Sequence, residues 1–438
     1  MAWRPLFVVM HRWAGLLIAL FLLVSGLTGA VISWDHELDE WLNQHLTGAT
    51  TDGEPMSPLL LANRIEARHP QVAVTFAPLA TQAGHSLAFG VAPRVDAATG
   101  ELFRPGFNQV FVDPVSGEEL GAREWGAVWP VTKETFVSFL YVLHYSLHLP
   151  AFQGTDRWGI WLMGVIALVW TADCFTGVLL TVPSRRRRRT AAGGPAATGW
   201  WQRWKPAWKV RWGSGAWKVN FDLHRAGSLW TWGLLFTVAF TAFSLNLYRE
   251  VFFPVMSRLS EVTPSPFDLR EPRAMNDPVE PVLDRAAALD LARSEAARRG
   301  WPEPAGALFH EPLFGIYGVQ FFHPEDGHGA GGVGHRTLYL DSGDGRILGE
   351  REPWRGTVAD IFLQAQFPLH SGRILGLPGR ILISLTGLVV VVLSVTGVVV
   401  WWRKRRARRM ASGRAAVTAR AAVAGPVDAS RARRTLSR

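Results

Sequence analysis

Two widely separated His-Arg dipeptides each stand at the start of a long apolar stretch. His11 and Arg12 precede the first stretch, in MHRWAGLLIALFLLVSGLTG, and His224 and Arg225 precede another, in LHRAGSLWTWGLLFTVAF. A single histidine at a membrane boundary is commonly an amphipathic anchor. Two in equivalent places favour function, because ionisable groups near the membrane core are costly and neutral imidazole is the commonest metal ligand. The pattern predicts one imidazole ligand from each half of the chain.

Further histidines stand at the opposite ends of the apolar stretches. LHYSLHLP supplies His144 and His148, and PLHSGRILGLPGR supplies His370. We therefore expect an inner pair made by the two His-Arg histidines, and an outer pair of His370 with either His144 or His148. His148 is nearer to the following stretch, whereas His144 better matches the Leu-His before Ser-Gly-Arg. The spacing leaves both open.

Two imidazoles from different helices favour haem iron over zinc. Zinc prefers four ligands, usually with cysteine or carboxylate among them, and the single cysteine, Cys174, lies inside an apolar stretch. Haem iron takes axial ligands from opposite sides within an apolar slot. Small residues in the stretches would let a flat macrocycle approach the backbone, or would simply let helices pack together. These residues are Gly26, Gly29, Gly177, Gly387 and Gly397.

Charged residues lie close to the candidate ligands. Arg12, Arg225 and Arg373 could pair with haem propionates or extend to lipid phosphates. Asp173, in WTADCFTGVL, is a carboxylate inside an apolar stretch and therefore a functional candidate. It could hydrogen-bond a ligand histidine, carry a proton, or bond to another helix.

Four apolar stretches must position these side chains. They cover roughly residues 14–33, 158–182, 227–247 and 381–402 of the 438, and each has about the 20 residues needed to span a ~30 Å hydrocarbon core. The sequence predicts an α-helical integral membrane protein with four transmembrane helices. Small residues at 25–30 also suit a cleaved signal peptide, but the His-Arg start recurs before an internal stretch.

Basic residues predict the orientation. Five arginines at 185–189 follow the second stretch and Arg403-Lys-Arg-Arg406 follows the fourth. Because Lys and Arg favour the cytoplasmic side, we expect both termini inside and the two long intervening segments in the periplasm of a bacterial inner membrane. The net charge of +10 then reflects topology and contact with anionic membrane lipid, not nucleic acid.

The chain is also a parallel internal repeat. FVDPVSGEELGARE at 111–124 matches YLDSGDGRILGERE at 339–352, each typical of a β-hairpin. Helices are expected near 58–68 and 281–299, so each exterior segment is predicted to be a small α+β domain. The expected order is transmembrane helix 1–33, domain 34–157, helix 158–182, basic Trp-rich interfacial loop 183–226, helix 227–247, domain 248–380, helix 381–402 and disordered basic tail 403–438.

Together these motifs resemble the PepSY-associated transmembrane family over most of residues 7–406. The closing motif, PLHSGRILGLPGR…LSVTGVVVWWRKR, is the most specific part. Better-understood members resemble iron-regulated, di-haem reductases that pass electrons to ferric siderophores in the periplasm. The resemblance implies PepSY-like exterior domains and two b-type haems, with axial roles carried only to His11, His224, His370 and either His144 or His148.

The sequence leaves the electron source and two rival functions open. No G-x-G-x-x-G fingerprint opens a helix after a strand, and no cytoplasmic segment is long enough for a flavin domain. A separate electron donor is therefore expected, either quinol or a cytoplasmic reductase. One rival is a non-catalytic PepSY protein that regulates a peptidase or senses a ligand. Another is a metal or siderophore transporter, which the scarcity of charge in the spans disfavours. An exterior loop with His323, His328 and His335 is expected to be solvated, although it could contact metal.

Overall fold

A computed structural model of the chain describes residues 3–153, 155–183 and 199–423. The helices are α1 (Trp3–Ile32), α2 (Asp35–Leu42), α3 (Gln44–Thr47), α4 (Pro58–Arg68), α5 (Phe136–Ser146), α6 (Trp158–Thr181), α7 (Trp200–Trp204), α8 (Ala216–Trp230), α9 (Trp232–Asn246), α10 (Phe253–Leu259), α11 (Arg285–Arg298), α12 (Val358–Ser371) and α13 (Gly376–Val423). Within the described residues, three helices are individually long and apolar enough to cross a membrane: α1, α6 and α13. An α-helix suits such stretches because it satisfies its backbone hydrogen bonds internally.

The third apolar stretch is bent. The span expected at 227–247 is divided between α8 and α9, which meet at an angle of 71°. Only when the two helices are taken together are they long and apolar enough to cross a membrane. Helix α9 has 15 residues, fewer than the about 20 that a straight span requires. Helix α8 begins well before residue 227 and carries Asp222, His224 and Arg225, so the end of the expected interfacial loop is helical.

The basic tail differs from the expectation. Helix α13 continues to Val423, so residues 403–423 are helical where disorder was expected. Alanine and arginine, which dominate this segment, are both good helix formers. The five-arginine run at 185–189 and the end of the tail from 424 lie outside the described residues.

Both predicted hairpins are present, but the two long segments that contain them share one sheet. The strands are β1 (Val72–Pro78), β2 (Leu87–Pro93), β3 (Gln109–Val112), β4 (Glu119–Arg123), β5 (Ala305–Glu311), β6 (Ile316–Phe321), β7 (Arg336–Asp341) and β8 (Ile347–Arg351). They pair in the order β4-β3-β2-β1-β5-β6-β7-β8. Antiparallel pairing of β1 with β5, which sets Phe76 opposite Phe309, joins the halves and removes two exposed sheet edges.

One helix packs against each half of the sheet. Helix α4 matches the predicted 58–68, whereas α11 begins at Arg285, four residues later than expected, because the Asp284 side chain caps it by accepting from Ala287 N. The first core contains Leu61, Ile65, Val72, Phe89 and Val110. The second contains Leu289, Leu308, Tyr317, Val319 and Leu338. Burying each such large apolar side chain contributes about 1.5–3 kcal/mol.

The described residues fall into two compact units. The first unit takes its residues from 1–24, 169–236 and 389–438, and the second from 25–168 and 237–388. The second unit holds the whole sheet. Each unit contains one set of the predicted site histidines.

Candidate functional site

His11 and His224 lie together in the first unit. His11 is on α1 and His224 is on α8, and their ring centres are 6.2 Å apart at an interplanar angle of 51°. The structure therefore brings together the two histidines that the His-Arg repeat predicts as a pair.

His11 is hydrogen-bonded to the carboxylate flagged in the sequence. Its Nδ1 lies 2.9 Å from both Oδ1 and Oδ2 of Asp173 on α6. The Thr176 hydroxyl donates to Asp173 Oδ1 at 2.6 Å. Asp173, whose side chain is 10% exposed, thus accepts hydrogen bonds from both neighbours.

His224 uses neutral acceptors instead. Its Nδ1 lies 3.1 Å from the Leu393 carbonyl oxygen and 3.2 Å from Thr396 Oγ1, both on α13. The Thr396 hydroxyl proton is already donated to the Val392 carbonyl at 2.7 Å, so its oxygen is free to accept from the ring.

His144 and His370 form the corresponding pair in the second unit. Their ring centres are 6.1 Å apart, with an interplanar angle of 59°. His144 Nδ1 lies 3.0 Å from Thr28 Oγ1, and His370 Nδ1 lies 3.0 Å from Thr241 Oγ1. Both hydroxyls donate to carbonyls of their own helices, Thr28 to Ser25 and Thr241 to Thr237.

These contacts favour the same tautomer in all four rings. Every Nδ1 faces an oxygen that can accept, an arrangement that suits a neutral ring with its proton on Nδ1 and its lone pair on Nε2. Among the described residues, no hydrogen bond involves the Nε2 of any of the four rings. The arrangement leaves two nitrogen donors in each pair available to bind a metal ion.

His148 lies outside both pairs. Helix α5 ends at Ser146, and Leu147 and His148 have left-handed backbone conformations, with φ of 57° and 52°. The His148 ring stacks on Phe139 at 4.6 Å, and its Nε2 lies 2.9 Å from the Phe139 carbonyl oxygen. Of the two alternatives, it is therefore His144 that faces His370.

The three candidate arginines differ in their partners. Arg12 Nε and Arg225 Nε are buried and have no hydrogen-bond partner among the described residues. Arg225 also donates through Nη2 to buried Asp222 at 2.8 Å. Arg373 instead pairs with Asp35 at 3.2 Å. Two of the three thus present an unsatisfied buried donor next to a site histidine.

The candidate glycines serve two purposes. An added Cβ at Gly29 would lie 2.9 Å from the His144 ring, at Gly397 it would lie 3.0 Å from the His224 ring, and at Gly177 it would lie 3.6 Å from the His11 ring. These three glycines therefore lie directly against the imidazole rings. At Gly387 the Cβ would meet the Gly26 backbone oxygen at 2.6 Å, so Gly26 and Gly387 allow close helix packing.

The exterior histidine loop is only partly solvated. His323 is exposed, but the other two histidines are half-buried. The His328 ring lies against the His36 ring, with centres 4.6 Å apart and planes tilted by 47°. Burial, with Arg373 and His36 nearby, lowers the pKa of His328 to about 4. His335 stacks on Phe322 at 4.0 Å. Across the described ranges, no group of three or more His, Cys, Asp or Glu is arranged to hold a metal ion.

The geometry of each pair fits two axial ligands of one metal ion. Each imidazole nitrogen would lie about 2.0 Å from a bound metal, so two rings on opposite sides of it would have centres about 6 Å apart. The separations of 6.2 and 6.1 Å agree with that arrangement. The unpaired arginine nitrogens add cationic donors suited to carboxylates on a ligand.

The threonine acceptors were missed in the sequence. Thr28 and Thr241 are separated by 213 residues, the same offset that relates His11 to His224. This shared offset is the sequence signal that indicates the two threonines.

Comparison with known proteins gives one family match. The family model described as PepSY-associated TM region matches residues 8–404. No curated protein matches the chain.

Proposed function

Because the chain belongs to the family of the PepSY-associated TM region, we propose that it is a di-haem reductase of the bacterial inner membrane. In this proposal it passes electrons to ferric siderophores or other ferric chelates in the periplasm. The observation that carries the proposal is the duplicated histidine pair, with ring centres about 6 Å apart and a free Nε2 on every ring.

Each pair would hold one b-type haem. His11 and His224 would hold the haem at the cytoplasmic side, and His144 and His370 would hold the haem at the periplasmic side. Bound haem supplies one-electron transfer by cycling between ferric and ferrous iron. The Nδ1 hydrogen bonds of the four rings would hold them in the tautomer and orientation that suit a ligand, as partners of metal-bound histidines generally do.

Other residues would complete the two sites. Arg12 and Arg225 would each direct the unpaired Nε toward a propionate. Gly29, Gly177 and Gly397 let the imidazoles pack closely against a neighbouring helix. Arg373, held by Asp35, is a weaker candidate for a propionate.

The membrane arrangement belongs to the same proposal. We take the bent pair of α8 and α9 as one span, the third of four along the chain, which leaves both termini in the cytoplasm and the eight-stranded sheet in the periplasm. The basic residues beside the spans support this orientation. Electrons would come from quinol or a separate cytoplasmic reductase.

Anaerobic reoxidation tests the reductase step. Dithionite-reduced protein, freed of excess reductant, is mixed with ferric desferrioxamine, and its gallium(III) analogue serves as the redox-inert control. We expect the ferric chelate to restore the oxidised haem spectrum while a ferrous-specific chromogenic chelator traps the released iron. The gallium complex should leave the reduced spectrum unchanged. A haem-loaded protein that no ferric chelate reoxidises would contradict the proposal.

A further inference from the structure

The two histidines of the cytoplasmic pair, one from each half of the repeat, have different hydrogen-bond partners. TADCFTGV on α6 aligns with VVLSVTGV on α13 through a shared Thr-Gly, so Asp173 corresponds to Leu393 and Thr176 to Thr396. His224 bonds to Thr396 and to the backbone of Leu393. His11 bonds to the Asp173 carboxylate instead.

Among the four site histidines, only His11 has a carboxylate at Nδ1. The other three rings face the hydroxyls of Thr28, Thr241 and Thr396, together with one backbone carbonyl. A hydrogen bond to an ionised acceptor is roughly twice as strong as one between neutral groups. A carboxylate at this position also raises the basicity of a metal-bound imidazole.

We propose that Asp173 lowers the reduction potential of the cytoplasmic site below that of the periplasmic site. This inference rests on the proposed function. A more basic His11 stabilises the ferric form, which carries one more positive charge than the ferrous form, and hydrogen bonding around the ligands is one of the means by which a protein sets that potential. With the lower potential on the cytoplasmic side, transfer of one electron oxidises that site, reduces the periplasmic one and is favourable outward.

The positions of the supporting groups fit this role. Asp173 is nearly buried, with 10% of its side chain exposed, so water screens its charge only weakly. The Thr176 hydroxyl holds one carboxylate oxygen at 2.6 Å and keeps it aimed at His11. Asp173 is thus a positioning and tuning residue that acts through His11.

Spectroelectrochemical titration of single-haem protein tests the inference. The His370→Ala variant should retain only the cytoplasmic haem, so its potential can be read without overlap. Adding Asp173→Asn should raise the equilibrium constant for reduction about tenfold, which corresponds to 59 mV for a one-electron couple. Asp173→Leu, which copies the residue of the second half, should move the potential in the same direction.

Two further variants provide controls. Cys174→Ser alters the neighbouring residue and should leave the potential unchanged. Leu393→Asp, which copies the first half, should lower it by placing a carboxylate near His224. Haem-binding Asp173 variants with an unmoved potential would overturn this inference and leave the proposed function intact. A wild-type protein that binds no haem would overturn both.

Discussion

The two halves of the chain agree closely in the positions of their paired histidines and differ in the residues that hydrogen-bond those histidines. An offset of 213 residues relates His11 to His224, and the same offset relates Thr28 to Thr241. On the neighbouring helices, Asp173 occupies the place of Leu393, so one histidine gains a carboxylate and its counterpart does not. Duplication can thus set the positions of the candidate ligands, while single substitutions in their surroundings make the two histidine pairs inequivalent.

The largest expected effect follows from removing a ligand. His11→Ala or His224→Ala should abolish one of the two proposed haems, because each variant removes one of the two nitrogens that would hold that haem. His144→Ala or His370→Ala should abolish the other haem. Pyridine haemochrome assay of each purified variant measures the remaining stoichiometry, which should be near one per chain.

His148→Ala is the matched control for His144→Ala. The His148 ring packs on Phe139 and should be dispensable for haem binding, so this variant should keep both haems. Loss of a haem in His148→Ala, with full retention in His144→Ala, would reverse the assignment of the outer pair.

Removing one threonine hydroxyl should have a smaller effect. Thr28→Val and Thr241→Val each delete the acceptor of one outer histidine, and losses of such supporting partners typically cost about 10–100-fold in metal affinity. Because the two contacts are both 3.0 Å, the halves should respond alike. Competition with apomyoglobin measures the haem affinity of each variant. A loss of affinity in only one of the two variants would show that the two threonines are not equivalent.

A methyl group added at the glycine beside an imidazole should affect the two halves differently, because the two rings lie at different distances from their glycines. Gly397→Ala would place its Cβ 3.0 Å from the His224 ring, whereas Gly177→Ala would place it 3.6 Å from the His11 ring. The first contact forces the ring to shift and should cost about 1 kcal/mol, the lower end for overpacking, while the second is ordinary van der Waals contact. Electron paramagnetic resonance of the ferric haem should change for Gly397→Ala alone. Equal changes in both variants would contradict the packing argument.

The sheet provides the smallest predicted effect, a pH dependence in its second half. His310 on β5 is 9% exposed, and burial, with Arg285 nearby, lowers its pKa from 6.5 to about 4. Between these values the unfolded chain binds more protons than the folded one, so the stabilisation present above pH 6.5 is lost as the pH falls. The loss should be about 1 kcal/mol between pH 6.5 and pH 5.5.

Thermal unfolding at the two pH values tests this. His310→Leu should reduce the downward shift of Tm on acidification, whereas His85→Leu, at an exposed histidine of the first half, should not. An unchanged shift in His310→Leu would show that other groups govern the acid response.

The helices and hairpins that depend on a local sequence pattern were predicted from the sequence. Runs of about 20 apolar residues indicated α1, α6 and α13, and two turns rich in Asp, Ser and Gly between apolar strands indicated both hairpins. Membership of the PepSY-associated family, inferred from motifs, is confirmed by the family match.

What the sequence did not predict depends on contacts between distant segments. The pairing of β1 with β5 merges the expected domains into one sheet, and strand partners of this kind leave no local signal. The choice between His144 and His148 turns on the left-handed end of α5 at Leu147, which the sequence LHYSLHLP does not reveal. The sequence shows that Asp173 is a carboxylate inside an apolar stretch. Its hydrogen bond to His11 depends on the packing of α1 against α6, which the sequence does not reveal.

The most direct test of the central claim is the visible spectrum of the detergent-purified protein, oxidised and then reduced with dithionite, together with its haem stoichiometry. We expect a low-spin b-type spectrum with two haems per chain. A colourless protein from cells well supplied with haem would contradict it, and would favour a PepSY protein that regulates a peptidase or senses a ligand.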